Sequence, residues 1–159
     1  MEFRIGTGFD AHKLAEGRPL VLGGVTVPHD KGLLGHSDAD ALCHAFSDAV
    51  LGAVALGDMG KYFPDTDPRW KGADSLKMLV ECVRLANDKG WSVGNADATI
   101  VCQRPKLSPF VLSMREKVAA ALGVELDRVS VKAKTTEGMG FEGREEGISV
   151  QAVVLLKKD

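Results

Sequence analysis

The last apolar stretch of the chain constrains its fold more than any other segment. In Ile148–Leu156, Val150, Ala152, Val154 and Leu156 alternate with Val153 and Leu155. Successive side chains of a strand point to opposite faces of a sheet, so this strand is apolar on both. Helices of the same chain can cover one face. The other face needs a partner, which an oligomer packed through its sheets would provide.

The remaining pattern supplies the helices. Phe3–Phe9 reads as a first strand ending near Asp10, and Leu20–Val27 as two short strands around a Gly23-Gly24 turn. Residues 30–37 read as a glycine-punctuated loop. Ser37 is the expected N-cap of a helix running to about Leu56, with Asp38 and Asp40 in its first turn. Ala39, Leu42, Cys43, Phe46, Ala49, Val50 and Ala53 form its buried face. Gly57–Gly72 is irregular. A second helix is expected over Asp74–Asp88, with Gly90 just beyond it. Trp91–Gln103 alternates as a strand. Ser108-Pro109 opens a third helix as N-cap and N1, stopped by Gly123. Val129–Lys134 and Ile148–Leu156 are the last strands, joined by Thr135–Gly147. This order predicts one α+β domain, a mixed, mostly antiparallel sheet with helices on one face.

The 159 residues are enough for a sizeable core. A net charge of −2 argues against a nucleic-acid or membrane surface built on bulk positive charge. No apolar run approaches a membrane span, and the N-terminal residues carry no signal or transit pattern. Cys43, Cys82 and Cys102 lie in apolar surroundings without a C-x-x-C, as reduced core residues do. A cytoplasmic protein is expected, bacterial or a processed plastid form.

Four constellations carry chemistry. Asp10 and His12 lie two apart, so an extended segment points both to one face. His44 falls on the first helix, on a polar stripe with Asp40 and Asp48 that could orient its ring. One carboxylate and two imidazoles would make a three-ligand metal site with an open position. The alternative is a helix-face histidine near an unrelated turn. The second constellation is Lys132–Arg144, whose Thr135, Thr136 and glycines offer donors to phosphate and whose Glu137 could hold Mg²⁺ or Mn²⁺. Taken alone it reads equally as a glycine-rich connection. Third, Gly35-His36-Ser37 precedes a helix start that favours an anion. Fourth, Asp58-Met59-Gly60 with Phe63-Pro64-Asp65-Thr66-Asp67 forms an acidic loop suited to polyol hydroxyls or to a solvated turn. No serine or cysteine nucleophile stands out, which favours metal-assisted phosphate chemistry over covalent catalysis.

Together these segments resemble the 2-C-methyl-D-erythritol 2,4-cyclodiphosphate synthase family of the non-mevalonate isoprenoid pathway. The resemblance runs from Arg4–His12 through Gly35–His44, Gly57–Gly60, Phe63–Asp67, Gln103–Lys106 and Lys132–Glu137 to Ile148. It implies a lyase converting 4-diphosphocytidyl-2-C-methyl-D-erythritol 2-phosphate to the cyclic diphosphate and CMP. It implies Zn²⁺ on Asp10, His12 and His44, and Mg²⁺ or Mn²⁺ on Glu137 beside the substrate diphosphate. His36 and Thr135 match transition-state stabilisers. Asp10, Ala11, His12, His36 and Ser37 match substrate contacts, as do Lys134, Thr135, Thr136 and Glu137. Asp58, Met59, Gly60 and Phe63–Asp67 resemble the methylerythritol wall, and Cys102, Gln103, Arg104, Pro105, Lys106, Leu107 and Ser108 the cytidine pocket. The family is a homotrimer with sheets around a threefold axis and active sites between subunits. Phe141 and Arg144 resemble residues of an axial cavity for an isoprenoid diphosphate, although Arg144 could equally pair with Glu142, Glu145 or Glu146. The competing functions are a metal-dependent phosphohydrolase and an isoprenoid-diphosphate binding module.

Overall fold

A computed structural model describes residues 1–158. Strands β1 (Glu2–Glu16), β4 (Lys31–Leu33), β5 (Ser92–Val101), β6 (Val129–Lys134) and β7 (Gly147–Lys158) form one sheet in the order β4-β1-β7-β5-β6. Only the β5–β6 pair is parallel. A separate hairpin joins β2 (Leu20–Leu22) to β3 (Val25–Val27) around Gly23-Gly24, as expected. Helices α1 (Ala41–Ala53), α3 (Ser75–Asn87) and α4 (Val111–Leu122) pack side by side on one sheet face. Short helices α2 (Met59–Tyr62) and α5 (Gly140–Gly143) interrupt the loops.

The covered face holds Val150, Ala152, Val154 and Leu156 of β7 against Phe46 and Val50 of α1 in one core. The opposite face carries Phe3, Ile5 and Phe9 of β1 beside Val153 of β7, and Ile5 is 69% exposed. An Asp97–Lys132 ion pair continues that face across β5 and β6. The two-sided apolar character of the last strand is therefore real, and nothing among the described residues covers its outer side.

Three boundaries differ from the sequence reading. First, β1 does not end near Asp10. Its pairing with β7 continues through His12 and Lys13, and β4 then takes over at Leu14–Glu16. Distant partners extend the strand, and they also make Lys31–Leu33 a strand rather than loop. Second, α1 starts three residues late. Ala39 adopts a left-handed φ of 57°, which ends any helix begun at Ser37. The N-cap is Asp40, whose carboxylate accepts from the Cys43 N–H. Third, Ser108 caps nothing. Ser108–Phe110 is a 3₁₀ turn, and α4 follows from Val111 to the left-handed Gly123.

Candidate metal centre and a second cleft

Two missing side chains build the first site. Gly6 and Gly8 share the inward face of β1 with Asp10 and His12. A Cβ on Gly8 would lie 1.8 Å from the Ala45 carbonyl oxygen, and one on Gly6 1.8 Å from that of Ala49. Helix α1 thus rests its backbone on the strand, lined by Ala45, Ala49 and Ala53 at helical spacing. It also runs against the strand direction, so its first turn comes down over Asp10. Helical side chains tilt toward the N-terminus, which carries His44 to the pair on β1.

The three groups converge. Asp10 Oδ2 lies 2.8 Å from His12 Nε2 and 3.0 Å from His44 Nδ1. The two imidazole nitrogens are 3.2 Å apart. Ligands about 2.0–2.1 Å from a tetrahedral ion stand roughly 3.3 Å from one another, so a small expansion admits one. Burial pushes the Asp10 carboxyl up, but hydrogen bonds and charge from His12 and His44 outweigh it and leave it at about 2. Burial pushes His12 down, and Asp10 outweighs that too, so its imidazole is raised above 6.5. His12 Nδ1 lies 2.9 Å from the Leu34 carbonyl oxygen, which can only accept, so Nδ1 carries a proton. Nε2 is the atom turned to Asp10 and His44, donating to the Asp10 carboxylate while protonated and free to offer its lone pair to an ion once neutral. The donor set fits a divalent ion, and Asp10, His12 and His44 form a potential metal-binding group.

Asp40 does not share the stripe of His44. It is fully buried and accepts from Gly23, Gly24 and Cys43 N–H groups, so it ties the hairpin to α1. Burial pushes its carboxyl upward against those three donors. Asp48 does face the site. It accepts from the Met59 N–H at 2.8 Å and so fixes the start of α2.

A cleft of about 370 Å³ opens over the three ligands, walled by His36, Ser37, Asp48, Met59, Phe63, Asp65, Trp70 and Met78. His36 donates from Nε2 to the Asp67 carbonyl at 3.2 Å. Phe63 meets Trp70 edge-on at 4.9 Å. Asp58 caps α2 instead of lining the cleft, with Gly60 inside that helix. Asp67 is engaged by Arg69 at 2.6 Å, in a turn whose Asp67 N–H reaches the Pro64 carbonyl across Thr66. The acidic loop thus contributes Met59, Phe63 and Asp65 as a wall.

Thr135 and Glu137 are elsewhere. A second cleft of about 630 Å³ is lined by Cys102–Ser108, Ala133, Lys134, Thr135 and His29. Its floor is backbone-rich: the Cys102 N–H bonds the Lys134 carbonyl, and the Gly138 N–H reaches the Gln103 side chain at 3.3 Å. Thr135 donates to Glu137 at 2.8 Å, with Glu137 left-handed at φ 54°, and Thr136 donates to the Met139 carbonyl. Strand β6 lies three steps from β1 in the sheet, about 14 Å at ordinary strand spacing. Within one chain the two clefts lie side by side and share no lining residue. A third hollow, of about 530 Å³, is bordered by Ala11, Lys13, Phe141, Glu146 and Gly147. Arg144 pairs with Glu146 at 2.9 Å at its rim.

All three cysteines are buried and free. Burial drives the thiols of Cys82 and Cys102 up to about 12, and that of Cys43 well above its ordinary value. None supplies a thiolate. Sequence reading missed His29, Trp70 and Met78, because nothing in their local spacing marks them.

The sequence profile of the YgbB family matches residues 3–157. The chain belongs to the YgbB family. A relative from Trichlorobacter lovleyi, called 2-C-methyl-D-erythritol 2,4-cyclodiphosphate synthase, is 61% identical over 96% of this chain and 98% of its own length. A solved structure of such a synthase in a CDP-bound form superimposes with a TM-score of 0.89 at 42% identity, covering 97% of this chain and all of that one. Another, a bifunctional IspDF from Campylobacter jejuni, gives a TM-score of 0.95 at 42% identity over 99% of this chain. This YgbB chain spans 43% of that longer protein.

Proposed function

We propose that the chain is a 2-C-methyl-D-erythritol 2,4-cyclodiphosphate synthase, releasing CMP from 4-diphosphocytidyl-2-C-methyl-D-erythritol 2-phosphate. The observation that carries this is the convergence of Asp10, His12 and His44 on one point beside a cleft, in a chain whose thiols are all inert. In the reaction an oxygen of the 2-phosphate bonds to the β-phosphorus. The bond from that phosphorus to the bridging oxygen breaks, and its electron pair leaves with CMP. The attacking oxygen is already anionic, so no protein nucleophile or strong base is needed, and the difficulty is electrostatic.

Asp10, His12 and His44 would hold Zn²⁺, and Glu137 would hold Mg²⁺ or Mn²⁺ beside the diphosphate. Such ions supply positive charge and Lewis acidity to phosphate oxygens. His36 and Thr135 act as the stabilisers of developing charge. Ser37, Met59, Phe63 and Asp65 enclose the methylerythritol end, with Asp58 and Asp67 setting that wall. The Cys102–Ser108 segment takes cytidine, and the CDP-bound relative supports a nucleotide ligand.

One substrate must touch both clefts, although three strand spacings separate β1 from β6 within a chain. The uncovered face bearing Phe3, Ile5, Phe9 and Val153 supports assembly through the sheets, as a homotrimer with each active site between subunits. The hollow at Phe141, with Arg144 at its rim, would then lie near the axis and suit an isoprenoid diphosphate. No helix of the described residues is long and apolar enough to cross a membrane, in keeping with a cytoplasmic enzyme.

Incubating the zinc- and magnesium-loaded protein with the substrate tests the proposal. Cyclic diphosphate and CMP are expected. Linear monophosphates would mean a phosphohydrolase, and tight binding without turnover would mean a binding module.

A further inference from the structure

The second nitrogen of His44 has a partner system that the proposed reaction does not use. Its Nε2 lies 2.9 Å from Ser75 Oγ and 3.1 Å from Ser37 Oγ. Ser75 is fully buried, the first residue of α3, and its hydroxyl donates to Asp38 Oδ1. The other oxygen of Asp38 accepts from the Ser75 N–H at 3.2 Å, and the Asp38 N–H bonds the Ala73 carbonyl. The carboxylate is thereby clamped to the start of α3.

Donor and acceptor bookkeeping gives this chain a direction. An ionised carboxylate only accepts, so the single Ser75 proton goes to Asp38. The Ser75 oxygen then has lone pairs to offer Nε2, which can donate its proton there. Nδ1 is the atom that faces Asp10 Oδ2 at 3.0 Å and His12 at 3.2 Å, so an ion bound between the three groups needs Nδ1 deprotonated, and a proton held on Nε2 by Ser75 is the arrangement that leaves its lone pair free. Ser37 is the weaker competitor: it lies farther away and its oxygen already accepts from the Ala39 N–H at 3.1 Å. We infer that Ser75, held by Asp38, is a positioning residue for the metal centre, a hydroxyl relay between a carboxylate and His44 that fixes the ring's tautomer and orientation. Partners of this kind behind a ligating histidine raise its basicity and hold its plane. The inference rests on reading Asp10, His12 and His44 as ligands of a divalent ion.

It predicts that Ser75→Ala, a change that removes one buried oxygen, weakens Zn²⁺ binding by about 10- to 100-fold. Competition with a chromogenic chelator reads this without any turnover. Ser75→Thr, which keeps the hydroxyl, should restore most of the affinity, whereas Ser37→Ala should change it far less than Ser75→Ala. Adding Asp38→Asn to Ser75→Ala should cost little more, because both act through one path. Nitrogen NMR of the zinc-loaded protein supplies an independent reading: the His44 Nε2–H should be protected from solvent exchange in the wild type and lose that protection in Ser75→Ala. Wild-type zinc affinity together with unchanged Nε2–H protection in a folded Ser75→Ala protein would overturn the relay. A wild-type protein that takes up no divalent ion would instead overturn the metal reading, and with it the role assigned to the relay.

Discussion

The two clefts at one end of the sheet are built on opposite plans. The smaller is made of side chains whose polar atoms are already satisfied by one another: Asp10 by two imidazoles, His12 by the Leu34 carbonyl, His44 by two serines. The larger is made of loop backbone, with its reactive groups exposed and lightly held, Thr135 and Glu137 bonding chiefly each other. A centre that must hold an ion in fixed geometry is prearranged by packing. A surface proposed to read a nucleotide can rely on carbonyl and N–H groups. The difference teaches where a substitution will act as geometry and where it will act as contact.

The largest break should come from Gly8→Ala. The added carbon would meet the α1 backbone, which cannot yield as a flexible side chain would, so α1 must lift. We expect at least about 3 kcal/mol of destabilisation, read as a collapse in the denaturant midpoint together with loss of zinc uptake. A variant as stable as the parent would remove the close-packing account.

His44→Ala should separate the clefts. Zinc uptake should vanish and turnover fall by on the order of 10³-fold or more, while CDP binding by calorimetry stays within about threefold, because the cleft proposed for the nucleotide is elsewhere. Thr135→Ala is the reverse case: normal zinc content, with kcat lowered by about 10- to 100-fold. Mixing these two impaired variants sharpens the comparison further. If one site takes its ligands from one subunit and Thr135 from the next, mixed assemblies should regain roughly a quarter of the active sites. No recovery after verified subunit exchange would overturn the shared site between subunits.

The smallest effect is on pH dependence. In the metal-free protein the raised His12 contributes stability that is complete below 6.5 and is lost as pH rises through its higher folded value. The depressed Asp10 contributes above 3.8, and that contribution is lost only as pH falls toward about 2. A bound ion requires His12 neutral, so its stabilisation grows in the opposite direction. The gap in Tm between loaded and metal-free protein should therefore widen as pH rises above 6.5, measurable by parallel calorimetric scans.

Much of this was legible from local pattern. The alternation of Val150–Leu156 gave a two-faced strand, and the polar position of His44 on an apolar helix marked it as a candidate ligand. What local pattern lacked was the partner of each element. Strand β1 reaches Glu16 only because β7 and then β4 pair with it, and α1 begins at Asp40 only because Ala39 turns left-handed. The cytidine-side loop carries almost no periodic signal, so the family resemblance alone pointed to it. Ser75 read simply as the start of a helix, since its partner Asp38 lies 37 residues away.

The buried carboxylate of Asp40 has a consequence for how this molecule opens. It caps α1 through the Cys43 N–H and holds the tip of the β2–β3 hairpin through Gly23 and Gly24. One acceptor thus serves a local helix end and a contact across the chain. Neither element can fray alone without leaving a charge stranded in an apolar interior. Amide hydrogens at Gly23, Gly24 and Cys43 should then exchange with solvent at one common rate, as members of a single cooperative unit. The first turn of α1, which delivers His44, would be guarded against local opening by a hairpin that lies outside the Asp10, His12 and His44 group.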